Sequence, residues 1–488
     1  MKLDFAATPE RLASADHLLV VASKSAFGPR ARGAGALARW LPPELAALAQ
    51  KLGEEAQPGL LAGAATSRTA PGNRLTVGVL ADERSRHAAP SGAEGIRKLV
   101  AGVGFGSGTA AVLLLLDDKD HALAAHNAIG RGLPLFTRKS TAKAPGTLAI
   151  ACCLANGTPV TVTPHERDIV AQARFAAALV DTPPTDLDPA AFAAQAKRAL
   201  RSVRGVRVRE IAGDALLRAK LGGIHAVGRC ARSAPRLLLA EAGPKRGTHV
   251  ALVGKGVTYD TGGLHLKARG AMETMKSDMG GAAAMLGAFL VLARQKPAHR
   301  LSLVLCLAEN AIGPAAYKPD DVLTLHSGKT VEINNTDAEG RLLLADGCSY
   351  AARELGAAIV LDAATLTGAQ GVATGDLHAA VVSNDAGIEQ TLLDAGRTTG
   401  DLCWPLPFAP EFYRSEFASP IADMRNSVKN RSNAQSSCAA EFVHWHLDGT
   451  SVRWGHVDLA FPAFRGDRGT GFGVALFAAA VAALARRS

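Results

Sequence analysis

Seven charged side chains that could bind metal ions or stabilise charge in a reaction lie in two short stretches, residues 254–285 and 334–347. Four are carboxylates and three are cations: Asp260, Asp278, Asp337 and Glu339, then Lys255, Lys267 and Arg341. Two carboxylates ~4 Å apart repel each other by several kcal/mol at intermediate dielectric, so four of them in one place need cations. Two divalent ions would relieve this repulsion. Carboxylates that bridge two ions hold them ~3.5–4 Å apart, a spacing with which hydrolases activate water and stabilise an oxyanion.

The two lysines of the first stretch allow three interpretations. A lysine beside dications loses its proton readily and can act as a neutral nitrogen ligand, whereas a more distant one stays charged and polarises a carbonyl. Alternatively, Lys255 and Lys267 only form salt bridges with the acids. A nucleotide-binding phosphate loop is not indicated, because that pattern needs Ser or Thr after its lysine and Lys255 is followed by Gly256.

Apolar runs and helix-like segments alternate around these stretches. Strands are predicted at 249–254, 301–310, 357–368 and 455–460, and helices near 280–294 and from about residue 341. Such alternation predicts a mostly parallel central sheet flanked by helices on both faces. Ligands bind beyond the carboxyl ends of the strands in such sheets. Polar residues do follow the apolar runs: Lys255, Asp260, Glu309, Asn310, Asp362 and Thr365.

The predicted domain boundary lies just before Thr163. Thr163, Pro164 and Glu166 form a capping-box pattern with proline at the first helical position, which predicts the start of a long helix. Before it, short apolar runs separated by helix-like stretches are typical of an α/β domain, and we find no cluster of reactive side chains among them. We therefore expect an α/β protein of two domains, a smaller N-terminal α/β domain over 1–160 and a catalytic domain over 161–488.

The composition is that of a folded globular protein and argues against several functional classes. Hydrophobic residues make up 48% of the 488 residues and charged residues 20%. The formal charge of +10 is spread along the chain without a basic run of five or more residues, so nucleic-acid binding is not expected as the main role. Seven dispersed cysteines without a CxxC pair indicate buried thiols in a reducing compartment. The N-terminus does not read as a secretory signal and the longest apolar run, 473–485, is too short for a bilayer, so we expect a cytoplasmic protein and no membrane partner.

Four phrases of the sequence resemble the leucine aminopeptidase family of two-metal exopeptidases, peptidase family M17. They are VGKGVTYDTGG, METMKSDMGGAAAM, NNTDAEGRLLLADG and DAATLTGA, and NTDAEGRL has the form of that family's signature. The agreement in order and spacing covers about residues 165–475, whereas the region before 160 matches only in position and α/β character. The resemblance implies a metal-dependent aminopeptidase that removes N-terminal residues from peptide substrates.

Carried over residue by residue, the resemblance implies how the seven side chains act. One divalent ion would be bound by Lys255, Asp260, Asp278 and Glu339, and the second by Asp260, Asp337 and Glu339. Lys267 would polarise the scissile carbonyl, and Arg341 would hold a bicarbonate that takes the proton from the water bridging the metals. We expect two ions per subunit, zinc or manganese, although such a site also accepts cobalt or magnesium. By the same resemblance we expect a homohexamer with its catalytic domains facing inward.

The pocket for the first side chain of the substrate is predicted beside these ligands. Its candidate residues are Met275, Asn335, Thr365 and Leu366. Met275 lies three residues before Asp278, and a flexible thioether suits a pocket that accepts several aliphatic side chains. The alternative is that Met275 belongs to the ordinary core.

Two other functions stay open from the sequence. The first is a DNA-binding or regulatory protein on the same fold, for which scattered basic residues could converge in space. The second is a peptidase-like protein without turnover, against which the retention of all five metal ligands, Lys267 and Arg341 argues. The chain also departs from the family pattern at His265, where members often have serine in Ser-Ile-Lys. We expect a surface position or an indirect role for His265, and an effect on pH dependence or substrate access is the alternative.

Overall fold

The computed structural model describes residues 1–28, 31–70, 73–105, 108–141 and 146–487. Contacts divide the chain into two compact units, one of residues 1–171 with 396–402 and the other of residues 172–395 with 403–488. The division falls inside the helix Pro164–Asp181, which begins with the capping box expected from the sequence. Thr163 N donates to Glu166 Oε2 at 2.7 Å, and Glu166 N donates to Thr163 Oγ1 at 3.2 Å. The boundary between residues 160 and 161 stays a prediction.

The N-terminal unit is an α/β layer structure around a mainly parallel sheet. Its strands are β1 (Lys2–Asp4), β2 (His17–Ser23), β3 (Ala62–Ala70), β4 (Asn73–Leu80), β5 (Ala110–Leu116) and β6 (Thr147–Leu154). Its helices are α1 (Pro9–Ala13), α2 (Ala34–Trp40), α3 (Pro43–Glu55), α4 (Ala93–Val103) and α5 (Ala122–Arg131), and α6 (Pro164–Asp181) spans the division between the units. Within the described residues the sheet has the order β1-β6-β5-β2-β4-β3, with only β3 antiparallel to its neighbour.

Strand β2 shows why the N-terminal sheet is covered on both faces. All seven of its residues are buried. Leu18 and Val20 pack in one core cluster, whereas Leu19 and Val21 pack in another. Because successive side chains of a strand point to opposite faces, the two clusters lie on opposite sides of the sheet. A continuous apolar run of this kind is typical of a central strand in a parallel sheet.

The C-terminal unit contains the longer strands of the molecule. Its strands are β7 (Arg207–Ala212), β8 (Arg236–Ala242), β9 (His249–Asp260), β10 (Arg300–Asn310), β11 (Val322–Thr324), β12 (Thr330–Glu332), β13 (Ile359–Ala364), β14 (Ala379–Ser383), β15 (Cys403–Pro405), β16 (Met424–Arg425), β17 (Arg453–Asp458), β18 (Phe464–Arg465) and β19 (Arg468–Gly469). Its helices are α7 (Pro189–Arg201), α8 (Ala215–Arg218), α9 (Gly222–Gly228), α10 (Gly280–Arg294), α11 (Gly340–Arg353), α12 (Gly368–Thr374), α13 (Ala386–Thr399), α14 (Pro410–Tyr413), α15 (Gln435–Trp445) and α16 (Val474–Arg487).

The main sheet of this unit has the order β15-β14-β17-β13-β9-β10-β8-β7 over the part of the chain that the structure describes. Its four central strands, β17, β13, β9 and β10, are parallel to one another. The pairs β14 with β17, β8 with β10 and β7 with β8 are antiparallel. The mixed α/β fold with a mostly parallel central sheet, as predicted from the alternation of apolar runs, is therefore confirmed. Short strands form two further ladders, β11-β12-β16 and β18-β19.

Strand β9 is longer than the sequence pattern predicted. The apolar run ends at Gly254, but the strand continues to Asp260 because its backbone stays paired with β10. Lys255 pairs with Cys306, and after a bulge Asp260 pairs with Asn310. The prediction that Lys255 and Asp260 follow the strand was wrong, since both lie within its last six residues. Tertiary pairing outweighed the local signal of the glycines at 254 and 256.

Helix α10 is buried on all sides except at its last residue. An all-round apolar helix is typical of the core of a large domain. The stretch Met275–Arg294, which contains it, is long and apolar enough to cross a bilayer, but 89% of the apolar window lies buried inside the structure. The core helices of soluble proteins can be equally long and apolar, so this stretch is weak evidence for a membrane span. The seven cysteines are free thiols, and all but Cys230 are buried, as expected from the sequence.

Candidate active site

Lys255, in the last half of β9, forms ion pairs with two of the predicted carboxylates. Its Nζ lies 2.7 Å from Asp278 Oδ1 and 3.0 Å from Glu339 Oε1, and it also donates to the carbonyl oxygen of Thr365 at 2.7 Å. The side chain is only 3% exposed. Four separate segments of the chain therefore meet at one ammonium group: the last half of β9, the turn before α10, the start of α11 and the residue after β13.

Lys267 joins the other two carboxylates. Its Nζ lies 2.8 Å from Asp260 Oδ2 and 2.6 Å from Asp337 Oδ1. Its side chain is 15% exposed, against 3% for Lys255, so Lys267 stands nearer to solvent. One ligand atom from each of Asp260, Asp337 and Glu339 lies within 4.8 Å of the other two. The structure thus brings all four predicted carboxylates and both lysines into one connected cluster.

The charges of this cluster do not balance without further cations. Four carboxylates face two ammonium groups. Burial raises the pKa of Asp278 well above its ordinary value, although Lys255 acts in the opposite direction. Burial also raises the pKa of Asp260 and of Asp337. For Lys255 and Lys267 burial lowers the pKa, but the surrounding carboxylates outweigh it and the pKa of both lysines is raised. The site holds more negative charge than its own cations neutralise.

Several oxygens of the cluster lack the partners that buried polar atoms normally have. Asp278 Oδ2 and Glu339 Oε2 are buried and have no hydrogen-bond partner among the described residues. An unpaired buried polar group costs ~1–3 kcal/mol, and more when it is charged. Oxygen donors with one amine suit divalent ions such as zinc, manganese or magnesium. The donor set, the charge excess and the unpaired oxygens all fit bound divalent ions.

The backbone places two of the carboxylates at the start of a helix. Glu339 is the N-cap residue of α11, which begins at Gly340, and Asp337 lies two residues before Glu339. A helix N-terminus carries partial positive charge and stabilises carboxylates by ~0.3–1 kcal/mol each. Gly340 is needed at this point, because a Cβ on it would lie 2.5 Å from Lys255 Cε. The glycine allows the lysine stem to pass beside the helix and reach the carboxylates.

Asn310 orients the Asp260 carboxylate. Its Nδ2 donates to Asp260 Oδ1 at 2.8 Å and to the carbonyl oxygen of Thr336 at 3.1 Å. Gly262 N donates to the same Oδ1 at 2.8 Å. Asp260 Oδ1 therefore has two donors, which turns Oδ2 toward Lys267. Hydrogen bonds of this kind fix the direction of a metal-binding carboxylate.

Arg341 is buried in the first turn of α11, with 4% of its surface exposed. Its Nη1 donates to the carbonyl oxygen of Asn426 at 3.0 Å, whereas its Nε is buried without a hydrogen-bond partner among the described residues. Burial lowers the pKa of Arg341 to about 10, so the guanidinium stays positively charged at neutral pH. A buried guanidinium with donors to spare is suited to hold a small planar anion.

The residues predicted for the substrate pocket differ in their hydrogen-bond partners. Thr365 Oγ1 donates to Asp278 Oδ1 at 2.8 Å, so its side chain contacts a predicted metal ligand. Asn335 Oδ1 accepts a hydrogen bond from Asp337 N at 3.0 Å. The partly buried Leu366 is held through its N–H, which donates to Asp458 Oδ1 at 3.0 Å.

Met275 lies in the short 3₁₀ turn Met275–Ser277. Its carbonyl oxygen accepts a hydrogen bond from Asp278 N at 3.2 Å, so the backbone of this turn is tied to a predicted ligand. The side chain is partly buried rather than enclosed. Its assignment to the pocket stays a prediction.

His265, the departure from the family pattern, lies on the exposed side of the loop that carries Lys267. Thr336 N donates to His265 Nδ1 at 3.1 Å, and His265 N donates to Thr336 Oγ1 at 2.8 Å. Thr336 directly precedes Asp337. His265 therefore ties the Lys267 loop to the segment that carries two carboxylates.

Sequence reasoning missed the asparagine that organises this second segment. Asn426 Oδ1 accepts hydrogen bonds from the N–H groups of Asn334 and Asn335 at 3.0 and 3.1 Å, and its Nδ2 donates to Asn335 O at 2.6 Å. It is fully buried. A single asparagine about 90 residues away in the chain carries no local signal that could have identified it. Asn310 was noted only as a polar residue at the end of a predicted strand.

Comparisons with known proteins identify a family and relatives that this chain resembles. The family model described as the cytosol aminopeptidase family, catalytic domain, matches residues 174–478. The Mus musculus protein named probable aminopeptidase NPEPL1 is 44% identical over 418 residues, which cover 83% of this chain and 79% of that protein. Leucine aminopeptidase 1 of Caenorhabditis elegans is 40% identical over 403 residues, which cover 81% of each chain.

Solved structures of similar proteins share the fold over almost the whole chain. The structure of Caenorhabditis elegans leucine aminopeptidase superposes with a TM-score of 0.87 at 32% identity and covers 99% of this chain and 98% of that one. Leucyl aminopeptidase from Trypanosoma brucei, solved in complex with bestatin, has a TM-score of 0.87 at 34% identity and covers 98% of this chain and 93% of that one.

Proposed function

The chain belongs to the cytosol aminopeptidase family, whose members are metal-dependent exopeptidase hydrolases, and from this premise we propose that it cleaves the N-terminal peptide bond of peptides in the manner of a leucyl aminopeptidase. The observation that carries the proposal is the convergence of four carboxylates on two lysines, with two buried carboxylate oxygens left unpaired. Such a charge excess suits two divalent ions, for which we expect zinc or manganese.

Different residues would hold the two ions. Lys255, Asp260, Asp278 and Glu339 would bind one, and Asp260, Asp337 and Glu339 the other. When bound, the ions supply Lewis acidity and a water nucleophile at neutral pH. Lys255 suits the role of a ligand because it is buried among the carboxylates, where its proton competes with a metal ion. Asn310 and Gly340 serve these ligands by orienting Asp260 and by making room for Lys255.

Lys267 would act on the substrate. Its larger exposure places it on the open side of the cluster, where a peptide carbonyl can approach. A charged amine there donates a hydrogen bond to the oxygen that gains negative charge as the peptide bond is attacked. The loop that carries it is tied to the carboxylate segment through His265, so the ammonium is held in place before the substrate arrives.

Arg341 would hold a bicarbonate that acts as the base. Its unpaired Nε requires an acceptor, and the bond from Nη1 to Asn426 O fixes the plane of the guanidinium. The Glu339 carboxylate is among the charges that act on the Arg341 guanidinium, so a planar anion held by Arg341 would be near this ligand. Bicarbonate held there by Arg341 would supply a general base beside the metal ligands.

The substrate's first side chain would be received by Met275, Asn335, Thr365 and Leu366. Thr365 and Asn335 are hydrogen-bonded to predicted ligands, so the substrate side chain would bind immediately beside the reacting bond.

We further propose that the catalytic domain spans residues 161–488, that the protein assembles as a homohexamer and that it works in the cytoplasm. Light scattering that detects only monomers would exclude the hexamer.

The test is turnover by the metal-free protein after reconstitution with zinc, manganese, cobalt or magnesium, measured on a panel of aminoacyl amides. We expect at least one metal to restore hydrolysis of leucyl amide. The N-acetylated form of the same amide should resist cleavage, because an exopeptidase requires a free amino terminus. Absence of turnover with every metal and every amide would contradict the proposed function.

A further inference from the structure

Tyr317 is a fully buried aromatic residue in a loop at the surface of the C-terminal unit. The loop covers residues 311–321 and connects β10 with β11. Apart from Ala316, the other residues of this loop are exposed or half-buried, whereas Tyr317 is only 1% exposed and belongs to the core cluster that contains Ile333. An ordinary core position needs only an apolar ring, so the phenol hydroxyl requires an explanation of its own.

The hydroxyl of Tyr317 donates to the backbone beside a predicted metal ligand. Its Oη lies 2.6 Å from the carbonyl oxygen of Thr336, the residue directly before Asp337. Burial and the nearby carboxylates of the cluster raise the pKa of Tyr317 well above its ordinary value. The phenol therefore keeps its proton at neutral pH, and its hydroxyl acts as a donor.

Thr336 uses all of its polar groups in hydrogen bonds. Its N–H donates to His265 Nδ1 at 3.1 Å. Its hydroxyl donates to the carbonyl oxygen of Gly262 at 2.7 Å and accepts from His265 N at 2.8 Å. Its carbonyl oxygen accepts from Asn310 Nδ2 at 3.1 Å as well as from Tyr317. Because Thr336 is also fully buried, a shift of its backbone would break several of these bonds.

The same bonds connect two carboxylates of the cluster. Asn310 Nδ2, the second donor to the Thr336 carbonyl, also donates to Asp260 Oδ1 at 2.8 Å. Asp260 Oδ2 and Asp337 Oδ1 both contact Lys267 Nζ, at 2.8 and 2.6 Å. The position of Thr336 therefore sets the gap between the Asp260 and Asp337 carboxylates.

Asp337 is the carboxylate that most needs this support. Its side chain is 34% exposed, against 3% for Asp260 and Glu339 and 7% for Asp278. Fewer packed neighbours restrict its side chain, so its direction depends more on the backbone from which it extends. Hydrogen bonds to the residues around a metal ligand are the usual means of fixing such a direction.

We propose that Tyr317 is a positioning residue for the ion that Asp337 would bind together with the two shared carboxylates. The inference rests on the proposed metal-dependent function and adds to it a residue outside the ligand set. Tyr317 and Asn310 together hold the carbonyl of Thr336, and this fixes the backbone from which the Asp337 side chain extends. Loss of such an outer partner typically costs about 10- to 100-fold in metal affinity.

The experiment is calorimetric titration of the metal-free, full-length protein with manganese. We expect the unmodified protein to bind two ions per subunit. Tyr317→Phe removes one oxygen atom and should weaken the binding of one ion by about 10- to 100-fold, with the affinity for the other unchanged. Tyr350→Phe is the matched control, because Tyr350 is also buried in this unit but its hydroxyl is hydrogen-bonded to Arg209. It should change neither affinity.

Two variants of Thr336 test the same support from the other side. Thr336→Val removes the hydroxyl that is bonded to Gly262 and His265, and it should weaken the binding of the same ion. Thr336→Ser keeps the hydroxyl and should keep most of the affinity. Equal losses in Thr336→Val and Thr336→Ser would contradict the role given to these hydrogen bonds.

Turnover and melting temperature separate positioning from general stability. Turnover of leucyl amide by Tyr317→Phe should fall at limiting metal, and excess metal should restore most of it. A lower melting temperature of the metal-free variant with unchanged metal affinity would show that Tyr317 supports only the fold. That result, equal weakening of both ions or an equal loss in Tyr350→Phe would overturn the proposal. Binding of fewer than two ions by the unmodified protein would instead contradict the proposed function on which the role of Tyr317 rests.

Discussion

Polar side chains gather in both units at the carboxyl ends of the central parallel strands, but only the C-terminal cluster carries an excess of one charge. In the C-terminal unit four carboxylates face two lysines, and the unpaired carboxylate oxygens include Asp278 Oδ2 and Glu339 Oε2. At the strand ends of the N-terminal unit, Arg84 Nη1 lies 3.7 Å from Asp117 Oδ2, so the one positive charge has a negative partner. The first cluster needs further cations, whereas the charges of the second balance each other.

This difference shows which part of a site the architecture determines and which part the side chains determine. Open parallel sheets bind ligands beyond the carboxyl ends of their strands, and polar side chains gather there in both units. The ion that binds depends on a few residues at the strand ends and on the helices that begin there. Two helices of similar length, α4 and α11, start at these sites. Two carboxylates precede α11, whereas a serine and a glycine precede α4.

The largest expected effect follows from removing a carboxylate that both ions would share. Glu339→Gln should lower the metal content and reduce turnover on leucyl amide by about 10³-fold or more, because several kcal/mol of charge stabilisation are lost. Metal content is measured by mass spectrometry and turnover by amide hydrolysis. Asp214→Asn is the control, since the Asp214 side chain is 89% exposed. If Glu339→Gln kept full metal content and activity, the excess charge of the C-terminal cluster would not serve metal binding. The contrast with the N-terminal unit would then disappear.

Next in size is the loss of the lysine on the open side of the cluster. Lys267→Ala should keep both metal ions and lower the turnover number by about 10² to 10³, the usual cost of removing one oxyanion donor. Arg341→Ala should also keep metal, with a smaller loss if free bicarbonate still enters. Melting temperature and bound metal are measured beside turnover for both variants. A fall in turnover only in proportion to metal loss would assign both residues to charge neutralisation.

A smaller effect is expected from the asparagine that orients Asp260. Asn310→Ala should weaken metal binding by about 10- to 100-fold, because Asp260 Oδ1 loses one of its two donors. Calorimetric titration with zinc or manganese measures this affinity. The melting temperature of the metal-free variant separates orientation of the ligand from general stability. Unchanged affinity in a destabilised variant would show that Asn310 supports only the fold.

The smallest effect concerns selectivity. Met275→Glu should reduce activity on leucyl and methionyl amides about 10-fold more than activity on arginyl amide, because a carboxylate repels aliphatic side chains and attracts cations. Met275→Leu keeps an apolar side chain of similar volume and is the matched control. Equal losses on all three substrates would instead favour the interpretation of Met275 as a core residue.

The sequence was sufficient for the fold class and for the convergence of the charged side chains, because apolar periodicity and the order of motifs are local features. The capping box at Thr163 formed as predicted for the same reason. The end of β9 was misplaced because backbone pairing with β10 extends the strand through residues that interrupt the apolar run. Local patterns do not report such long-range pairing.

The supporting residues were harder to predict. Asn426 organises a segment about 90 residues earlier through hydrogen bonds that leave no pattern in the chain. A small cleft in the N-terminal unit, at the ends of β2, β4 and β5, escaped the sequence analysis for the same reason. Ser23, Arg84, Ser91 and Asp117 are ordinary residues in sequence and come together only when β2, β4 and β5 are aligned. Sites built from single residues of several strands require the tertiary structure.

The most direct test of the central claim is a crystal structure of the metal-loaded protein with anomalous data collected at the absorption edge of the metal. The account predicts two adjacent anomalous peaks within ~2.0–2.6 Å of the assigned carboxylate oxygens of Asp260, Asp278, Asp337 and Glu339. Lys255 should contact one of the two ions. A structure with bound metal in which any of these carboxylates lies more than ~5 Å from both peaks, well beyond the ~2.0–2.6 Å of metal–oxygen bonds, would contradict it.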